Sequence, residues 1–301
     1  MGLKTFIYKQ ADKIQNISRF WDKKYGKKLP HVELKKVGQY FAVNIIHKSQ
    51  SRGYSTAKMI IDCIPHLNTE KDFNFRFFIN DQPFKTYENT DFYYCTDDCN
   101  KIAYLIPDYS FDHWKEAGIA NFNSTIEDIK AASKKPWEVN KIFWIGNTET
   151  NPMRKELLSI AQKNTSILEV IDTFVDNYFV HKQQVAYISL PEHTKYKYLI
   201  DIEGIGFSCR LKFLLFTKRL LFLQDRQWKE FFWFDLQPYV HFIPVKNDLS
   251  NLILQYEMIE SNPKLYEDIV ENAYQYACAN LTYDSAISTM IKTIQNRIDT
   301  L

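Results

Sequence analysis

Disulfide scaffolding, membrane-spanning runs and a strong charge of either sign are all missing from this chain. Its 301 residues include only five cysteines, Cys63, Cys95, Cys99, Cys209 and Cys278. An odd, scattered set reads as reduced thiols rather than a paired framework. Cys95 and Cys99 have helical spacing, but no second Cys or His pair with zinc spacing lies near them in sequence, so no structural zinc site is expected. No window of about 18 to 20 apolar, charge-free residues occurs, so no membrane span is expected. The amino-terminal stretch MGLKTFIYKQADKIQNISRFW lacks the unbroken apolar core of a secretory signal. Phe6 also departs from the myristoylation pattern, which wants Ser or Thr there. The formal net charge of +2 lacks the basic excess of a dedicated nucleic-acid binder. These absences together predict a cytoplasmic protein, or one that lies on a membrane without crossing it.

What is present is the composition of a folded protein: 45% hydrophobic and 25% charged residues, enough chain for two modest domains. Ile7, Ala11, Ile14, Ile17 and Trp21 recur at helical spacing and predict an amphipathic first helix. A lysine-rich connection follows, and Lys23, Lys24, Lys27, Lys28, Lys35 and Lys36 form a basic cluster. That cluster reads as solvated surface, with peripheral contact to an anionic membrane as the sharper alternative. Next come a strand at Tyr40 to Ile46 and a helix around Thr56 to Leu67. A strand FNFRFFI (Phe73 to Ile79) then stops at the turn Asn80-Asp81-Gln82-Pro83. A short strand fits Ile102 to Ile106, and a helix capped by Ser124 or Thr125 fits Ser124 to Ser133. After Lys134-Lys135-Pro136-Trp137 a new strand, KIFWI, begins at Lys141; the turn GNTETNP and a helix from Met153 to Lys163 follow it. The expected class is α/β, with parallel-sheet domains at residues 1–138 and 139–281 and helices from Pro263 to the end.

The stretch from Lys195 to Asp248 carries most of the chemistry. An apolar strand, Tyr198 to Ile202, runs into a turn holding Gly204 and Gly206, then Ser208, Arg210 and an apolar helical run to about Phe216. A glycine turn feeding a helix presents unpaired N–H groups, a place that suits a phosphate or diphosphate, and Arg210 in the first helical turn could close on it. Ser208 could bond a phosphate oxygen or cap the helix, and Cys209 reads as a small packing residue.

The second half of that stretch, EFFWFDLQPYVHFIPVKNDLS, resembles the closing segment of glycosyltransferase family 90. That family holds protein O-glucosyltransferases, fungal capsule xylosyltransferases and bacterial lipopolysaccharide glycosyltransferases. The resemblance covers roughly Tyr54 to the carboxyl end. It implies a GT-B-like architecture: two Rossmann-like parallel-sheet domains facing across a cleft, with a last helix (residues 282–301) packing back on the first domain. It also implies a metal-independent, inverting transferase that moves a hexose or pentose from a nucleotide sugar, UDP-linked, to a glycan hydroxyl. The nucleotide sugar is a co-substrate, and no cofactor is implied.

Such transfer needs a base for the acceptor hydroxyl and stabilisation of the departing diphosphate. FFINDQP resembles the family strand whose motif ends in the catalytic Asp, which makes Asp81 the candidate base; read alone, Asp81 merely shapes its turn. GFSCR matches the family's donor turn, which assigns donor binding to Gly206, Phe207, Ser208 and Arg210. GNTETNPMR resembles a glycine-to-arginine loop and assigns Gly146, Asn147 and Arg154. The loop is one residue longer here, and Ile145 stands where relatives carry a basic residue. A surface ion pair is the bland reading for each arginine. Glu230 reads equally as a ribose or sugar acceptor group and as structure, while His241 reads as a buried histidine and Asp248 as a helix cap.

The missing signal and disulfide framework point away from secretory members. They favour a bacterial-type enzyme that extends lipopolysaccharide or another cell-surface glycan, with an acceptor that is lipid-linked. Two other readings stay open: a metal-dependent GT-A transferase using Asp97-Asp98, and a non-catalytic glycan- or nucleotide-binding module.

Overall fold

The computed structural model describes residues 5–8, 29–46, 51–83, 88–174 and 187–301. The chain divides into two compact units, Met1–Phe122 with Tyr283–Leu301, and Asn123–Thr282. The division falls after Phe122, the first residue of a helix at Phe122–Ser133, so the rest of that helix goes with the second unit.

The first unit holds a five-stranded sheet in the order β1-β3-β2-β4-β5. Its strands are Thr5–Tyr8 (β1), His31–Val37 (β2), Tyr40–Ile46 (β3), Phe73–Phe78 (β4) and Asp91–Phe92 (β5). Only β4 and β5 run parallel; the other three pairings are antiparallel. This corrects the expectation of a parallel, Rossmann-like sheet here, and the cause is local. Gly38, with φ +57°, opens a two-residue loop between Val37 and Tyr40, and so tight a connection can only return the chain antiparallel.

The lysine-rich segment was expected to be a connection, yet it holds β2, where Val32, Leu34 and Lys36 alternate inward. Lys36 is accordingly buried, its Nζ donating to the Gly38 carbonyl at 2.6 Å, and leaves the basic surface cluster. Lys23, Lys24, Lys27 and Lys28 lie outside the described residues. The predicted first helix is corrected over residues 5–8, which pair with β3 as a strand; its remainder lies outside the described residues.

Helix α1 (Ser51–Cys63) buries Met59, Ile60 and Cys63. Burial, aided by Asp62, pushes the Cys63 thiol up to about 12, so it remains a protonated packing group. The C-terminal helix Tyr283–Asp299 packs along α1 with Ala286, Met290, Ile294 and Ile298 inside. Tyr283 Oη donates to Asp62 at 2.6 Å, and Arg297 donates to the Asn89 carbonyl at 2.9 Å. The strand expected at Ile102–Ile106 is corrected: Cys99–Tyr104 is a 3-10 helix capped by Asp98, which follows the two-residue strand Cys95–Thr96 (β6).

In the second unit, α2 (Phe122–Ser133) precedes the strands Val139–Gly146 (β7), Leu168–Asp172 (β8), Tyr196–Asp201 (β9), Leu220–Gln224 (β10), Lys229–Glu230 (β11) and Ile243–Val245 (β12). Five of them form a wholly parallel sheet, β12-β10-β9-β7-β8. Parallel strands are covered on both sides, which explains the unbroken apolar runs IFWI and LLFL. One sheet face carries Ile142, Trp144, Tyr198, Ile200, Leu220 and Phe222 against Leu157 and Ala161 of α3 (Pro152–Lys163), with Leu252, Ile259 and Ile269 from later helices. Each buried Leu, Ile or Phe among them contributes about 1.5–3 kcal/mol by leaving water.

Counted along the chain from β7, the strand order is 2-1-3-4-5. Connections therefore leave β7 and β9 in opposite directions, and a crevice opens beyond the carboxyl ends of those two strands, the usual ligand position in such sheets. α4 (Leu211–Leu214) is a single turn and not a run to Phe216, so its dipole contributes little to the turn before it. α5 (Leu252–Glu260) and α6 (Pro263–Asn280) complete the unit.

Candidate functional site

Beyond the carboxyl ends of β7 and β9, two guanidinium groups converge on one ring. The Arg154 and Arg210 Cζ atoms lie 5.3 Å and 5.6 Å from the Trp144 ring centroid. Arg154 comes from the first turn of α3, whose cap Asn151 accepts from the Met153 N–H at 2.9 Å. Its Nε donates to the Glu203 carbonyl at 2.8 Å, and its Nη atoms donate to the carbonyls of Asn147 and Ile202 at 3.1 Å and 3.3 Å. It thus ties the loop after β7 to the loop after β9 using carbonyls alone. Burial and then the like charge of Arg210 lower Arg154 to about 10.

Arg210 donates from Nη1 to the Ile145 carbonyl at 2.5 Å, and its nearest carboxylate, Asp201, stands 3.6 Å from Nε. That Nε is buried with no hydrogen-bond partner among the described residues. Burial also lowers Arg210 from its ordinary value, against the attraction of Asp201. Two cations without a carboxylate at hydrogen-bond distance, sharing an aromatic floor, have the charge to pair with an anion of two charged centres.

The glycines serve this geometry. A Cβ on Gly146 would sit 2.8 Å and 2.9 Å from two atoms of the Trp144 ring, so the ring lies where only glycine leaves room. A Cβ on Gly204 would lie 3.2 Å from Arg154 Nη2. The turn between them closes with the Gly204 N–H donating to the Gly206 carbonyl at 3.1 Å, and Phe207 is buried behind it. Asn147 accepts from the Glu149 N–H at 2.8 Å through its side chain. The Ser208 hydroxyl donates to Asp201 Oδ1 at 2.7 Å, so it offers a ligand its lone pairs rather than its proton.

Beneath these residues lies an ion network that the sequence did not announce. Asp201 ends β9 and receives Arg226 Nη1 on Oδ2 at 2.7 Å; Arg226 Nη2 donates to Glu230 Oε2 at 3.0 Å. All three side chains are buried, and the Arg226 Cζ lies 4.7 Å from the Trp233 ring centroid. Glu230, a predicted donor residue, therefore faces Arg226, and its Oε1 has no partner among the described residues. Burial outweighs the pull of Arg226 and raises Glu230 to about 7. Glu203 accepts from the Gln227 N–H at 3.2 Å and joins the same neighbourhood. Arg226 and Glu230 at i and i+4 were the only sequence signal for this pairing.

Asp81 belongs to the first unit, three residues past β4. Its Oδ1 receives Arg52 Nη1 at 2.6 Å, and its carbonyl accepts from the Cys95 thiol at 3.3 Å. Arg52, in the first turn of α1, also stacks over Tyr109 with Cζ 4.9 Å from the ring centroid. Both side chains of this ion pair keep about a third or less of their surface in water, at 26% and 32%. One helical turn on, Ser55 donates to Asp112 Oδ2 at 3.0 Å, and that oxygen lies 2.5 Å from His113 Nδ1. Of the rival acidic pair, Asp98 uses Oδ1 to cap its 3-10 helix, accepting from the Asn100 N–H at 2.8 Å. Asp248 accepts from the Ser250 N–H at 3.0 Å, and His241 is partly exposed, not enclosed as expected, with Nδ1 accepting from the Gln237 N–H at 3.0 Å.

The model of the family described as "Glycosyl transferase family 90" matches residues 36–297, a span holding Asp81, Arg154 and Arg210. Human "Protein O-glucosyltransferase 1" is 29% identical over 174 residues, covering 56% of this chain and 44% of that protein. Zebrafish "Protein O-glucosyltransferase 2" is 32% identical over 168 residues, covering 53% and 33%. "O-glucosyltransferase rumi" of Drosophila melanogaster is 29% identical over 175 residues, covering 54% and 42%. The chain thus spans less than half the length of these curated relatives.

Proposed function

The chain belongs to glycosyltransferase family 90, and on that premise we propose that it is an inverting transferase that moves a hexose or pentose from a UDP-sugar to an acceptor hydroxyl without a metal ion. The observation that carries this reading is the Arg154–Arg210 pair over Trp144, beyond the carboxyl ends of β7 and β9. As the anomeric carbon–oxygen bond breaks, negative charge builds on the departing diphosphate. Two preorganised guanidinium groups stabilise that charge with no reorganisation. Asp81 supplies the base: it accepts the hydroxyl proton as the acceptor oxygen attacks, and Arg52 holds its carboxylate in place.

The acceptor in this reading is a hydroxyl of a cell-surface glycan such as lipopolysaccharide, lipid-linked and met at the inner face of a membrane. Among the described residues no helix is long and apolar enough to cross a membrane. A second reading, a protein hydroxyl as acceptor and glucose as the sugar, is favoured by the names of the relatives.

Screening nucleotide sugars for hydrolysis, transfer and thermal stabilisation tests the proposal. A ligand at about 100 times its Kd should stabilise the folded chain by about 2.7 kcal/mol. UDP and one UDP-sugar should do so, and transfer should persist in excess chelator. If chelator abolishes transfer, manganese restores it and Asn at both Asp97 and Asp98 mimics the chelator, the metal-dependent reading stands instead. Absence of stabilisation by any nucleoside diphosphate would leave a binding module of another kind.

A further inference from the structure

Asp201 approaches two guanidinium groups, those of Arg226 and Arg210, and it treats them unequally. Arg226 holds it at 2.7 Å, while Arg210 Nε stands off at 3.6 Å with no hydrogen-bond partner among the described residues. A guanidinium and a buried carboxylate at such range ordinarily close into a two-point pair. Here Arg226 holds Oδ2, while Ser208 donates at 2.7 Å to Oδ1, the oxygen nearest Arg210, so both oxygens are engaged and the plane of the carboxylate is fixed. Glu230 in turn fixes the far side of Arg226 at 3.0 Å, and the Trp233 ring supports its plane.

Such a cluster is a poor device for stability. Burying ions costs several kcal/mol each, and apolar replacements of whole buried pairs are often neutral or better. Its position against the donor turn gives it a different use. We infer that Arg226 is a positioning residue that holds Asp201 off Arg210, and so keeps the Arg210 guanidinium available to the donor diphosphate. The inference rests on the reading that Arg210 grips a diphosphate. Without Arg226, the Asp201 carboxylate would turn to Arg210 and neutralise the charge that the diphosphate requires.

The test is UDP affinity, measured by calorimetry on the full chain, in a set of variants. Arg210→Ala checks the underlying reading: if UDP binds it as tightly as wild type, that reading fails, whatever Arg226 does. Given that Arg210→Ala weakens UDP, Arg226→Gln should weaken it about tenfold, on the scale of one hydrogen bond to a charged group. Adding Asp201→Asn to Arg226→Gln should restore affinity to within about threefold of wild type, because the capturing carboxylate is gone. Asp201→Asn alone should leave UDP binding no weaker than that.

A merely structural network predicts the opposite order, with the double variant the weakest. That order, or an Arg226→Gln variant that binds UDP like wild type, would overturn the inference. Should Arg226→Gln not fold, Asp201→Asn alone decides: a tenfold loss of UDP affinity would mean that Asp201 orients Arg210 rather than threatens it. The KM for the acceptor should not move in any folded member of the set.

Discussion

Arg154 and Arg210 lie over the same ring, 5.3 Å and 5.6 Å from the centroid of Trp144, yet their anchoring differs. Arg154 ties two loops together through three carbonyls, whereas Arg210 has one carbonyl bond and an Nε that only approaches Asp201, at 3.6 Å. The two should therefore fail differently. Arg210→Ala is expected to weaken UDP binding by about 1.5–3 kcal/mol with little change in melting temperature. Arg154→Ala should weaken UDP binding on a similar scale and also lower the melting temperature, since it leaves carbonyls in both loops without a donor. Calorimetry and thermal melts separate the two outcomes.

On the first unit, Asp81→Asn should lower transfer by at least about 100-fold, the ordinary scale for a general base, while UDP affinity stays put. Arg52→Ala removes a partly exposed ion pair and should cost no more than about 1 kcal/mol of stability. Single-turnover rates with saturating donor measure the first effect and melts the second. Transfer near the wild-type rate in Asp81→Asn would remove Asp81 from the mechanism.

Glu230 makes a prediction about pH. Its folded value of about 7 lies above the ordinary 4.5, so between these values the folded chain holds a proton that the unfolded chain has released. Its contribution is most favourable below the ordinary value and is lost as pH rises through about 7. Glu230→Gln should therefore gain melting temperature relative to wild type between about pH 5 and pH 8. A difference that is flat with pH, or that runs the other way, would show that Arg226 and not burial dominates this carboxyl.

Two glycines should separate packing from backbone strain. Gly146→Ala drives a methyl group into the rigid Trp144 ring and should cost about 1–3 kcal/mol, with a loss of UDP affinity because that ring underlies both arginines. Gly38 has open space around it but a φ of +57°. Gly38→Ala should cost about 1–2 kcal/mol through the left-handed backbone alone, and UDP binding should be unchanged.

The parallel sheet of the second unit was legible because its strands are buried on both sides and read as IFWI and LLFL. Phe73, Phe75 and Phe77 likewise announced β4 by strict alternation, which located Asp81 just past a strand end. β2 was hidden because Lys35 and Lys36 stand side by side in it, Lys36 at an inward position, and HVELKKV shows too few apolar residues to stand out. The antiparallel course of that sheet depends on Gly38, whose φ no composition reveals. The ion pairs at Asp81 and at Asp201 were beyond local reading for another reason. Arg226 meets Asp201 because β9 and β10 are neighbours, and Arg52 meets Asp81 because α1 packs on β3 and β2, the latter next to β4 in the sheet. Partners 25 and 29 residues apart carry no periodicity to find.

The first unit is interrupted: its chain runs to Phe122 and resumes only at Tyr283. During synthesis, every residue of the second unit leaves the ribosome before the helix that carries Ala286, Met290, Ile294 and Ile298. The unit that is begun first is thus the one finished last. Until that helix arrives, the side of α1 that it covers stays open, and the half of the molecule holding Asp81 waits on the half holding Arg210.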